Sequence, residues 1–208
     1  MGFFDSLPAP EPPKPPRSTR LPEWHHPGSN VAPAALVVDG LLVHRPALAV
    51  FLNGIDVYPH GFTVGVTVLR RRVRGRRFGV HEDNPFGPHW LRGTEQVADP
   101  ERYLRFGVQF ADGRGASAQY GSRRSDRDSP PAQPYMTPHG GHGGVGDWEQ
   151  NYWIWGLPEH GGVSLVYSWL AENVPESRFE LGGDELRAAA GRAVRLWTEP
   201  DEDDVAGR

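Results

Sequence analysis

The sequence predicts a mainly β protein: a two-sheet antiparallel β-sandwich with one C-terminal amphipathic helix packed on a sheet. Three observations lead there. The 208 residues include Gly 26 and Pro 21, well above ordinary usage, which suits many short strands joined by turns. Short apolar runs with period two recur from residue 35 onward. Near the C-terminus a single stretch switches to helical spacing.

Residues 1–34 read as a proline-rich disordered tail. Nine of the 21 prolines precede residue 34, and a residue without an N–H cannot sustain a ladder, so an extended polyproline-like form is expected. The apolar tip Phe3, Phe4 and Leu7 reads as a short docking peptide on a stiff tether, or more simply as a disordered end with a few apolar residues.

Residues 35–198 read as the sandwich domain. "ALVVDGLLVH" sets Asp39-Gly40 between two apolar runs, the sequence signal of a hairpin. "LAVFLNGIDVYPHG" reads as a long strand broken near Gly54 by a bulge. Phe62, Val64, Val66 and Val68 fall at period two, alternating with Thr63, Gly65 and Thr67, and Val163, Leu165, Tyr167 and Trp169 fall at the same period. In "LRFGVQFADG", Leu104, Phe106, Val108 and Phe110 mark a buried face, and Arg105, Gly107 and Gln109 a wet one. "SRFEL" is a shorter strand. In "NYWIW", Trp153 and Trp155 share one face and Tyr152 and Ile154 the other, so this strand is expected between the second sheet and the helix. The total is about seven to nine strands, as expected of a sandwich.

The helix is read from "GGDELRAAAGRAVRLW", where Leu186, Ala189, Ala190, Ala193, Val194 and Trp197 form one stripe, with Asp184 or Gly183 as cap. Trp197 is therefore expected to be buried. Residues 199–208 form an acidic tail. Two long connections, 79–101 and 121–149, are rich in Gly, Pro and charge, and such loops are functional or disordered.

Several function classes drop out. With no cysteine there is no disulfide, thiolate metal site or cysteine nucleophile. No run approaches the roughly 18 apolar residues of a membrane span, and no signal peptide is recognisable, so a cytoplasmic location is expected. The tail from Glu199 carries five acids and one Arg, leaving 21 basic and 21 acidic residues in the rest of the chain. A neutral body argues against non-specific nucleic-acid binding, which needs a basic footprint.

Two stretches invite a binding role. "RRRVRGRR" places Arg70, Arg71, Arg72, Arg74, Arg76 and Arg77 at the end of a half-buried strand, as a compact positive cap or a solvated hairpin end. "HGGHGGVG" offers His139 and His142 as metal ligands, although two imidazoles fall short of the four ligands of structural zinc. Asp147 and Glu149 near His142 could be drawn as an acid/base set, and Asp126 and Asp128 as hard oxygen ligands. No G-x-S-x-G or H-E-x-x-H pattern is present.

"DWEQNYWIWGLP", "VSLVYSWLAENVPESRFEL" and "ELRAAAGRAVRLW" resemble a group of uncharacterised single-domain proteins of high-GC actinobacteria. In that group a Gly-rich loop leads into a Trp-rich strand, and a C-terminal helix ends in Leu-Trp. The resemblance spans roughly residues 35–198. It implies source and extent and carries no activity or functional residue; the presence of one lysine, Lys14, beside 21 arginines agrees with such a source.

The functional expectation is a non-catalytic binding or accessory module, without a cofactor, that meets another protein through its loops and the arginine cap. Two alternatives stand beside it. One is a metal-dependent enzyme or metal-binding protein using the 121–149 loop, and the other a carbohydrate-binding β-sandwich using exposed tryptophans.

Overall fold

The computed structural model describes residues 22–71, 84–87, 99–118 and 130–197. In chain order the strands are β1 (Val31–Ala32), β2 (Ala34–Leu36), β3 (Leu41–Arg45), β4 (Leu48–Tyr58), β5 (Gly61–Arg70), β6 (Arg105–Phe110), β7 (Gly115–Ser117), β8 (Tyr135–Gly143), β9 (Asp147–Trp155), β10 (Val163–Trp169) and β11 (Val174–Leu181). Helix α1 (Gly183–Ala190) and β12 (Val194–Arg195) follow. Every pairing is antiparallel, and the described strands form no closed barrel.

The largest sheet is built on the β4–β5 hairpin, turned by Pro59 and His60 between the paired Tyr58 and Gly61. Its register shifts between Leu52 and Gly54, as the sequence suggests. The extra residue keeps Val50 and Leu52 before the shift, and Ile55 and Val57 after it, buried in the core. β9 lies beside β5 from Gly61↔Trp155 to Leu69↔Asp147, and β8 closes that edge.

On the opposite edge β4 receives two partners. β2 pairs with Val57–Ile55, while β3 pairs with the Phe51–Leu48 half. The expected Asp39-Gly40 hairpin is therefore corrected: these residues join two strands laid end to end along one neighbour. β4 is long enough to hydrogen-bond both, which outweighs the local turn signal. Gly40 is needed at this close approach. Its carbonyl accepts the Leu52 N–H at 2.8 Å, and a Cβ would lie 2.6 Å from the Leu52 side chain.

The histidine and glycine run is also corrected. Instead of belonging to a connection over 121–149, it forms β8 and pairs with β9 around the turn Gly144–Gly146, where Gly146 has φ 91°. Ladder pairing uses backbone groups alone, so a strand poor in side chains leaves no period-two trace.

The second sheet has the order β11-β10-β6-β7, and β1 and β12 form a separate two-stranded ribbon. One cluster of buried residues draws on both larger sheets and on Leu186 and Ala189 of α1. Phe106 of β6 stacks on Tyr152 of β9 with ring centroids 5.3 Å apart. Tyr167 of β10 donates its hydroxyl to the Leu42 carbonyl at 3.1 Å. The Arg70 guanidinium lies 4.7 Å over the Trp169 ring and 2.6 Å from Glu172.

α1 is shorter than its apolar stripe. It starts after Gly182, carries Asp184 and Glu185 in its first turn, where the helix dipole favours acids, and stops at Ala190. Beyond Gly191 the chain extends and Val194–Arg195 pairs with Ala32 and Val31. Trp197 is 55% exposed, which corrects its expected burial. The helical spacing of Val194 and Trp197 is overridden by the chance to complete a ribbon.

The second face of β9 is likewise covered by something other than the helix. Residues 23–26, grouped by sequence with the tail, cross it as a strap. The Trp153 indole N–H donates to the Glu23 carbonyl at 3.0 Å, and the Thr137 hydroxyl to the His25 carbonyl at 3.5 Å. Trp153 is thereby 1% exposed.

Candidate functional site

The outward face of the four-stranded sheet carries a trough. Its position follows from the pairing register: Val166 of β10 lies opposite Gly107 of β6 on one side and Arg178 of β11 on the other, while Gly107 lies opposite Ser117 of β7. Where neighbouring strands present side chains, Gly107 presents none, and the surface dips. About 310 Å³ of open space lies over Gly107 and Val166, bordered by Arg105, Gln109, Ser168, Glu176 and Arg178. That is near the lower end of the size range of ligand sites.

Both arginines are held in place. Arg105 donates through Nε to the Ser168 hydroxyl at 2.8 Å, and Arg178 donates through Nη1 to Gln109 Oε1 at 2.6 Å. Both acceptors are neutral. Among the described residues no carboxylate forms an ion pair with either guanidinium, and Glu176 is the one acid among the residues lining the trough. Two positive charges are therefore fixed in position without an ion pair, beside the single carboxylate of Glu176. Ser168 faces an arginine, which cannot accept its proton.

The residues singled out by sequence lie elsewhere. Arg70 is committed to Glu172 and Trp169, with its side chain only 10% exposed, so the strand end is partly neutralised from within. Arg71 is exposed; Arg72, Arg74, Arg76 and Arg77 lie outside the described residues, as do Asp126 and Asp128.

His139 and His142 are not brought together. The His139 ring meets His26 of the strap, with centroids 4.4 Å apart, whereas His142 approaches Glu149, Nδ1 to Oε2, at 3.9 Å. Burial, and secondarily the facing His26, hold the His139 imidazole below its ordinary value. Among the described residues no group of three or more His, Asp or Glu gathers at one point. Asp147 and Glu149 share the outward face of β9, opposite Leu69 and Thr67.

Trp148, Trp153 and Trp169 are buried, and Trp155 is half-buried beside His60. Two aromatic residues, Phe106 and Tyr167, border the trough, but both are buried, Phe106 stacked on Tyr152 and Tyr167 bonded to the Leu42 carbonyl.

Sequence reasoning saw half of the trough. Arg105, Gly107 and Gln109 were legible as the wet face of a strand, with a glycine where a side chain was due. Arg178, Glu176 and Ser168 come from other strands, and only the pairing register brings them alongside.

No helix of the described residues is long and apolar enough to cross a membrane. No protein-family model, curated protein or solved structure matches the chain.

Proposed function

We propose that the chain is a non-catalytic binding or accessory module, a two-sheet β-sandwich with its helix docked against it, whose ligand is a segment of another protein received in the trough. The observation that carries this reading is the pair of guanidiniums, Arg105 and Arg178, fixed by neutral acceptors over a floor of Gly107 and Val166. A core shared by both sheets and α1 supports the sandwich, and gives the trough a rigid base. The arginine run from Arg71 onward is a second electrostatic surface in this reading, and no cofactor is called for. A high-GC actinobacterial source belongs to the same proposal.

The test is affinity purification from the native host with the wild-type chain and with Arg105→Glu combined with Arg178→Glu. Proteins retained by the wild type should be lost from the double variant, with the far-ultraviolet circular dichroism unchanged. An identical set of retained proteins for both chains would overturn the trough as the contact surface.

A further inference from the structure

The charge balance of the trough narrows its ligand. Two guanidiniums and one carboxylate line it, Arg105 and Arg178 against Glu176, a formal surplus of one positive charge. Ser117, Ser168 and Gln109 add neutral polar groups, and the outward face of β11 carries a second acid, Glu180, which accepts from the Ser164 hydroxyl at 2.8 Å. A dianion such as phosphate would satisfy both arginines and then face Glu176 and Glu180. A monoanion matches the surplus of the lining residues, and Glu180, which lies outside the lining, counts only as a further charge against a dianion. After Arg105 has used Nε and Arg178 one Nη1 hydrogen, each keeps further N–H donors in the plane of its guanidinium, the geometry that pairs with the two oxygens of a carboxylate.

We infer that the trough is a carboxylate-binding site: it holds one carboxylate of a partner polypeptide between Arg105 and Arg178, with the adjoining aliphatic part over Gly107 and Val166. This rests on the binding-module reading and deepens it. The carboxylate has two sources, an Asp or Glu side chain or a chain terminus, and both present the same planar pair of oxygens. Phosphate is disfavoured by Glu176, and the two aromatic residues that border the trough, Phe106 and Tyr167, are buried and engaged with Tyr152 and the Leu42 carbonyl, which leaves no exposed ring to stack on a nucleobase or a sugar.

The experiment is a nuclear magnetic resonance titration of the uniformly ¹⁵N-labelled full chain at low salt, following the Gly107, Gly115 and Val166 amides. Four probes are added separately: acetyl-Val-Glu-Val amide, acetyl-Val-Gln-Val with a free C-terminus, acetyl-Val-Gln-Val amide, and inorganic phosphate. At least one of the two carboxylate peptides should shift those amides with a Kd on the order of millimolar, as suits a single desolvated ion contact. The stronger of the two identifies the source. Arg105→Gln and Arg178→Gln should each weaken it about tenfold or more, and Glu176→Gln should strengthen it. Equal shifts with the neutral amide, tighter binding of phosphate than of both carboxylates, or no shift with any probe would each overturn the assignment. If capture of proteins fails in the arginine double variant while every carboxylate probe is silent, the contact surface stands and the carboxylate chemistry falls. The two ideas are thus separable.

Discussion

Trp169 and Trp197 each end a stretch of apolar periodicity, and their fates differ because of what lies beside them. Trp169 is 1% exposed, donates its indole N–H to the Arg102 carbonyl at 2.8 Å and carries the Arg70 guanidinium on its ring. Trp197 is 55% exposed at the end of the described chain. Replacing Trp169 by alanine should therefore cost about 3–5 kcal/mol. Trp197→Ala should stay within about 0.5 kcal/mol. Urea denaturation of the two variants checks both figures. Glycines divide in the same way. A Cβ at Gly61 would lie 2.2 Å from the Ile154 carbonyl oxygen, whereas at Gly54 it would meet nothing within 4 Å. Gly61→Ala is expected to cost more than about 2 kcal/mol, and Gly54→Ala to change stability by less than about 0.5 kcal/mol. Periodicity reads which face a residue occupies; it does not read what stands opposite, and that decides each of these four cases.

At the scale of elements, pairing partners were harder to read than strands. β5, β6 and β10 announce themselves by alternation because one face of each meets the core, and β4 and β9 by their long apolar or aromatic runs. β8 does not, since its Gly140, Gly141 and Gly143 leave alternation nothing to act on. The strap leaves no periodic signal because its hydrogen bonds to Trp153 and Thr137 are made by the backbone carbonyls of Glu23 and His25. Its contact with His139 of β8 leads to a prediction. His26 faces His139, with His25 and Tyr135 in ring contact close by and the Glu23 carbonyl on Trp153. Because the folded-state pKa of His139 lies below the unfolded value of 6.5, the unfolded chain binds more protons between the two values. Stability therefore rises with pH in that window: the contribution is complete above 6.5 and is lost as pH falls through the lower folded value. Acidification below that point should loosen the strap, seen as faster hydrogen exchange of the Trp153 indole N–H. His139→Gln should remove the pH step, and an unchanged step in that variant would show that another group controls it.

For the whole molecule, the shared core makes the two sheets interdependent. Residues of β4, β5, β9, β6 and β10, together with Leu186 and Ala189, belong to one buried cluster. Unfolding should therefore be a single transition, with near-ultraviolet dichroism of the buried tryptophans and far-ultraviolet dichroism of the backbone following one curve in denaturant. Two separated transitions would mean that the sheets are independent units. Antiparallel β architecture was legible at this scale from composition and alternation, because both report how much of each strand is covered. The order of strands within a sheet was not: it depends on contacts between segments far apart in sequence.

The ribbon of β1 and β12 has a mechanical meaning. Val31 lies opposite Arg195 and Ala32 opposite Val194, and beyond them the Leu196 N–H donates to the Asn30 carbonyl at 2.8 Å while Asn30 Nδ2 donates to the Trp197 carbonyl at 3.0 Å. The incoming and outgoing chain thus lie side by side at the same end of the ribbon. Tension applied between residues 22 and 197 would load these bonds in sequence, like a zipper opened from its tab, instead of shearing them together. The strap, tied to β9 at Trp153, would be drawn from the sheet face along the same line of force. Both pieces should yield at low load, before either large sheet is strained, so a single chain stretched from these ends should lengthen in a small early step ahead of the main rupture.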